Sequence, residues 1–276
     1  MRRPARRHVV GIVAILASAI IFLVPFAFIV VQSLKTTPEA ADLSFAWPTN
    51  IVLFDNIVKV FQANDSQLIT AFINSVVLTV LSITIMVIVS AMIGWVIARR
   101  PSRLNPWISF LILAGLIVPP AIVPTAWVMQ RLGIFNTIGG LALVEVAYGM
   151  AFCILLFRAF VSTIPRELDE AAAIDGAGPI LLFFRIGLPL LRSVIITAIV
   201  VQSVAVFNDF ANPLYFLPGS ENATVQLTLF NFQSQFQTSW NLLFTNILLI
   251  TIPPLVMYIF FNRQIVAGLT SGAVKG

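Results

Sequence analysis

The chain has 276 residues, of which 59% are hydrophobic and only 10% charged, against the roughly 25% charged residues of an ordinary soluble domain. That excludes a soluble globular protein, and it excludes disorder, which needs low hydrophobicity, and collagen or coiled coil, which need a short repeat. With one cysteine, Cys153, and one histidine, His8, an intramolecular disulfide, a cysteine cluster or a multi-histidine metal site cannot be assembled. What remains is an all-α, polytopic membrane protein, in which the formal net charge of +5 maps the two membrane faces rather than an affinity for nucleic acid.

Arg2, Arg3, Arg6 and Arg7 precede an uncharged run from Val9 to Val31. A signal peptide has a shorter apolar core, about 7–15 residues, followed by a small-residue cleavage site, so the run is taken as the first span. Five further apolar stretches, at about 69–98, 107–129, 138–157, 190–211 and 242–262, make six transmembrane helices, each near the ~20 residues a bilayer requires. Pro119-Pro120 and Pro253-Pro254 lie in or beside these spans and are expected to kink them. Trp95 and Trp107 are assigned to one membrane face, and Trp127 and Trp240 to the other.

Placing the N-terminus inside puts Arg2, Arg3, Arg6, Arg7, Arg99, Arg100, Arg103, Arg158, Arg166, Arg185, Arg192, Arg263 and Lys275 on one side, 13 of the 16 basic residues. Lys35, Lys59 and Arg131 fall on the other. The asymmetry predicts both termini in the cytoplasm. Residues 32–66 and 212–241 are then the two sizeable outer segments, with net charges of −2 and −1, and residues 158–192 form one long inner segment. Asn222-Ala223-Thr224 matches a glycosylation sequon.

The inner segment predicts helix, break, helix. Pro165 suits a first helical turn, and Glu167, Asp169 and Glu170 complement the positive end of the helix dipole. Leu168, Ala171 and Ala172, at i, i+3 and i+4, form a narrow face that a partner protein can approach. Gly176 and Gly178 permit a sharp exit, and Pro179 cannot continue the preceding ladder.

Glu170-Ala171-Ala172, Asp175-Gly176-Ala177, Phe184, Ile186 and Leu188-Pro189 resemble, position by position, the EAA loop of permease subunits in ABC importers. Gly268 to Gly276 resembles the C-terminal tail of carbohydrate-type permeases of the MalG class, and Asn208-Asp209, Pro213, Thr224, Trp240 and Pro253 follow that class through its last two spans. Ser193 and Phe207 depart from it, since relatives often carry proline and tryptophan there. The resemblance implies a MetI-like, type I importer permease fold: one transmembrane domain over 1–276, with a core at about 69–262, a coupling segment at about 164–189 and a cytoplasmic tail at 263–276. It further implies a second, MalF-like permease, two ATP-binding subunits, an extracytoplasmic solute-binding protein and a carbohydrate cargo. The coupling residues would be Glu170, Ala171, Ala172, Asp175, Gly176, Ala177, Leu188 and Pro189. ATP and Mg would sit on the partner ATPases, with no cofactor on this chain.

The residues themselves offer no catalytic constellation. Lys35, Lys59 and Lys275 are the only lysines, and none sits in the Gly-Lys-Ser/Thr setting of a P-loop. The one histidine lies in the basic N-terminal arm, so Ser-His-Asp catalysis is unsupported. For a substrate path the candidates are Glu145 and Asp209, acids at or near membrane depth, with Gln202, Asn208, Asn212 and Tyr215 as hydroxyl-matching neighbours. The alternatives are that Glu145 pairs with the companion permease and that Asp209, with Asn208, caps the outer segment. An ion-coupled secondary transporter is the competing class, which inverted repeats and broken helices would favour.

Overall fold

In the computed structural model, residues 4–233 and 238–273 are described, with side chains at 11–15, 17–233 and 238–262. All regular structure among them is helical. Among the described residues, four helices are long and apolar enough to cross a membrane, and the count reaches six if each of two bent pairs is one span. The chain divides into two compact units, Met1–Thr70 with Leu227–Ile252, and Ala71–Gln226 with Pro253–Gly276.

In the first unit, α1 (Pro4–Ser33) carries the first apolar run, and the short α2 (Thr37–Ala41) follows. The helix α3 (Leu53–Arg99) is two helices in fact, because Ala63 is extended and Asn64, Asp65 and Ser66 have φ of 48°, 55° and 62°. Asn and Asp tolerate the left-handed region better than other side chains. The portion after this break, 67–99, coincides with the expected span at 69–98.

Polar side chains close the end of α1, whose last carbonyls have no helical partner. Asn56 Nδ2 donates to the carbonyls of Ser33 and Lys35, each at 2.9 Å, and Asn56 Oδ1 accepts from Asn241 Nδ2 at 2.9 Å. Lys35, only 1% exposed, donates from Nζ to the Ser44 carbonyl at 2.6 Å. Phe28 meets Phe45 and Phe244 edge-on.

At α2, Thr36 and Glu39 form a capping box, and the Glu39 carboxylate also accepts from the Thr49 amide at 3.1 Å and from the Thr49 hydroxyl. These bonds, led by that of the Thr49 hydroxyl, hold the Glu39 pKa down from 4.5 to about 2. A carboxyl depressed in the folded state stabilises it above the unfolded value and loses that stabilisation as pH falls through the folded one. The 36–49 loop should therefore loosen as pH falls from 4.5 toward about 2. Hydrogen exchange at the Thr49 amide, corrected for its intrinsic rate, checks this. In Glu39→Gln the protection should be weak at every pH.

In the second unit, α6 (Ile138–Val161) is the central post. The helices α4 (Asn105–Ile117) and α10 (Arg192–Phe207) pack on it, and α11 (Ala211–Phe216) packs on both α6 and α5 (Ile122–Arg131). The core between α3, α6 and α10 includes the fully buried Met86, Leu141, Cys153, Phe157 and Ala198. The expected span at 107–129 is instead broken. Its halves α4 and α5 meet at 113°, because Pro119-Pro120 cannot supply the N–H groups that would continue the ladder. At Pro253-Pro254 the helix α12 (Trp240–Ala273) runs on without a break. Its backbone also takes in most of the expected tail, whose last three residues lie outside the described ones.

Helices α3 and α6 touch through glycines. A Cβ on Gly94 would stand 2.8 Å from Phe157 Cβ and 3.0 Å from the Arg158 amide nitrogen, whereas one on Gly149 would meet the mobile end of Met86. Backbone cannot yield as a methionine tip can. Gly94→Ala is expected to destabilise the protein by about 1–3 kcal/mol, and Gly149→Ala by less, as read from thermal unfolding in detergent.

Candidate functional site

Two places gather polar and exposed groups that the packing does not require. The first is the inner segment. Here α7 (Glu167–Ile174) ends in a Schellman motif, with the Ala177 amide donating to the Ala172 carbonyl at 2.9 Å and the Gly176 amide to that of Ala173 at 3.1 Å. The motif needs a residue in the left-handed region, and Gly176 supplies it at φ +83°. Gly178 then caps α8 (Pro179–Leu182), which passes through a π turn at Phe183–Gly187 into α9 (Leu188–Leu190).

The segment is tied down by the end of α3. Arg99 Nε lies 2.8 Å from Asp169 Oδ2, and Arg99 Nη1 donates to the Ile164 carbonyl at 3.0 Å. The guanidinium stands 5.1 Å from the ring centroid of Trp95, and that ring meets Phe183 edge-on at 6.0 Å. Trp95 is buried, its indole filling the space beside Phe183 and Gly187. The helix begins at Glu167, so Pro165 lies before its first turn rather than in it.

Of the expected coupling residues, Glu170, Ala171, Asp175, Gly176 and Pro189 are exposed, and Ala177 and Leu188 are half-buried. Ala172 is buried, turned toward its own chain, so Leu168, Ala171 and Ala172 do not form one open face. The exposed apolar groups are others that spacing did not single out, above all Ile174 at 86% and Ile180 at 77%, on either side of the glycine turn.

The second place is a cavity of about 320 Å³ on α6, α10 and the start of α11, lined among others by Glu145, Tyr148, Phe152, Gln202, Asp209 and Asn212. Asn212 Nδ2 donates to Glu145 Oε1 at 3.1 Å, and Gln202 Nε2 donates to the Gly149 carbonyl at 3.3 Å. Asp209 Oδ1 accepts from the Ala211 amide at 3.0 Å, the capping contact that the sequence left open beside a substrate role. Asn208 and Tyr215 do not line the cavity. Asn208 is exposed and accepts from Gln226, and Tyr215 is 52% exposed. Tyr148 and Phe152 were hidden among many aromatic residues, although they lie about one and two turns from Glu145 on the same face of α6.

Residues 90–270 match the family described as binding-protein-dependent transport system inner membrane component. The chain belongs to this family.

Among the relatives of this permease is the melibiose/raffinose/stachyose import permease protein MelC of Bacillus subtilis, 30% identical over 99% of this chain and 100% of its own length. The trehalose transport system permease protein SugB of Mycobacterium tuberculosis is 32% identical over 92% of this chain and 93% of its own. The permease also shares its fold with a chain of a bacterial ABC transporter involved in the import of the acidic polysaccharide alginate. That match has a TM-score of 0.84 at 18% identity, over 95% of this chain and 98% of the other. The all-α, multi-pass permease fold expected from the sequence is thus the one observed.

Arg99 gives the permease a sharp test of how its inner segment is held. Arg99→Gln removes the ion pair with Asp169 and the charged hydrogen bond to the Ile164 carbonyl, and a hydrogen bond to a charged group is worth about 1.5–3 kcal/mol. Amide exchange across 166–175 should rise at least about tenfold while α6 stays protected, as measured by hydrogen-exchange mass spectrometry.

Proposed function

We propose that this chain is one of two permeases in an ATP-driven carbohydrate importer. A MalF-like companion completes the pathway, two ATP-binding subunits dock beneath, and a solute-binding protein delivers cargo from outside. The observation that carries the reading is the coupling segment. A short helix, a left-handed glycine and a second helix are tied to α3 by Arg99, yet they present Ile174 and Ile180 to the surroundings. Large apolar side chains exposed beside free carboxylates mark a surface that a partner covers.

The partner is the ATPase. Glu170 and Asp175 are exposed acceptors beside the two isoleucines, suited to charge-assisted contacts with basic or backbone donors in an ATPase groove. ATP and Mg belong to that subunit, since this chain carries no P-loop lysine. Closure of the ATPase dimer would draw two such segments together and turn the permease pair outward. The basic residues on the inner segments support cytoplasmic termini. Carbohydrate cargo is supported by relatives named for melibiose, raffinose, stachyose and trehalose, and a delivering protein by a second solved structure of the same fold, a bacterial alginate ABC transporter in complex with an alginate pentasaccharide-bound periplasmic protein. Family membership removes the ground for an ion-coupled secondary transporter.

Gly176→Pro tests the coupling. Proline fixes φ near −65°, whereas Gly176 stands at +83°, so the Schellman turn cannot form. The variant should insert and reach normal levels in the membrane, while energised sugar uptake into cells falls more than about tenfold. Normal uptake by this variant overturns the proposal.

A further inference from the structure

Most donors of the cavity on α6, α10 and α11 are already engaged. The Gln202 amide is engaged by the Gly149 carbonyl and Cys153 Sγ, and the Asn212 amide donates to Glu145. The amides of Ala211 and Asn212 are directed to Asp209 Oδ1. Left over are Asp209 Oδ2 and the Tyr148 hydroxyl oxygen, both buried with no hydrogen-bond partner. Glu145 is only 7% exposed, and its carboxyl group interacts directly with that of Asp209. No lysine or arginine lines the cavity.

The two carboxyl groups accept hydrogen bonds, the Tyr148 hydroxyl both donates and accepts, and a buried polar group left unmet is costly. A group that carries hydroxyls, each of them donor and acceptor at once, meets both needs. A group that brings negative charge meets two carboxyl groups and no lysine or arginine to neutralise it. Saccharide hydroxyls supply the donors, and the rings of Tyr148 and Phe152 offer apolar faces for the C–H side of a pyranose. The volume, about 320 Å³, is at the small end of the ~300–1,000 Å³ range of ligand pockets, which suits one sugar ring of a longer cargo.

We infer that this cavity is a direct cargo subsite on this chain, taking one ring of a neutral, hydroxyl-rich saccharide and excluding uronates and sugar phosphates. The inference rests on the importer reading above and adds the chemistry of selection.

The test uses the assembled transporter in nanodiscs, without its solute-binding protein. Saturation-transfer NMR is recorded with maltose, raffinose, melibiose, trehalose and trigalacturonate as probes. At least one neutral probe should show transfer, and trigalacturonate none. Asp209→Asn keeps the Oδ1 that caps α11, and Tyr148→Phe removes only a hydroxyl. Each should weaken binding of the neutral probe about tenfold, and retention of the ATP-binding subunits checks that the variants fold. Should Asp209→Asn fail to assemble, Tyr148→Phe decides. Transfer to trigalacturonate as strong as to the neutral probes, no transfer to any neutral probe, or unchanged binding in the variants overturns the inference. Stimulation of ATP hydrolysis by the binding protein is measured on the same preparation. Intact stimulation without saccharide transfer refutes the subsite alone, and a chain that purifies without ATP-binding subunits refutes the importer reading.

Discussion

The guanidinium of Arg99 decides where the inner segment stands. An isolated helix as short as α7, eight residues, is not stable in water, so its position has to come from outside itself. Arg99 supplies it from the last turn of α3, with its side chain 9% exposed and facing Asp169, the carbonyl of Ile164 and the face of Trp95. A partly buried charge is tolerated only when it is paired and hydrogen-bonded, and the pairing works in both directions. Asp169 compensates Arg99, and Arg99 holds the first turn of α7. Ala172 from below and Phe183 beside Trp95 complete the seat. What this arrangement leaves outward, Ile174, Ile180, Glu170 and Asp175, is therefore presented on a fixed support.

Much of this was legible in the sequence, because hydropathy and turn chemistry act locally. The uncharged runs mark the helices, and Gly176 with Pro179 marks the break between α7 and α8. Arg99 and Trp95 were visible only as a charge on the inner side and an indole near a membrane face. Their real partners, Asp169 and Phe183, are 70 and 88 residues further along the chain, and one sequence holds no signal for such pairings. Pro119-Pro120 announced an interruption without its angle, since a proline removes a hydrogen bond but neighbouring helices set the bend. The left-handed stretch at Asn64 to Ser66 contains no glycine, the residue that normally flags such backbone.

The substrate candidates divide for a similar reason. Glu145, Gln202, Asp209 and Asn212 converge because α6, α10 and α11 pack together. Asn208 sits one position before Asp209 yet points elsewhere, toward Gln226. Residue type identified a polar group near membrane depth, and only helical phase separated those that face the cavity from those that do not. Tyr148 and Phe152 share the phase of Glu145 at i+3 and i+7, so the face of α6 that carries the acid could have pointed to both.

Two packed helices link the cavity to the inner segment, α6, which lines the cavity, and α3, which holds the segment. On α3, Met86 packs at Gly149, Gly94 lies against Phe157 and Arg158, and Trp95 and Arg99 reach the inner segment. On α6, Gly149 binds Gln202 through its carbonyl, one turn from Glu145. Close-packed interiors resist compression, so these helices cannot absorb a displacement by softening. A glycine contact does, however, lack the interlocking side chains that oppose sliding, and shear between packed helices proceeds through such small translations. The glycine seam between α3 and α6 thus combines a stiff separation with a smooth surface, and it runs from the seat of the coupling segment to the wall of the cavity.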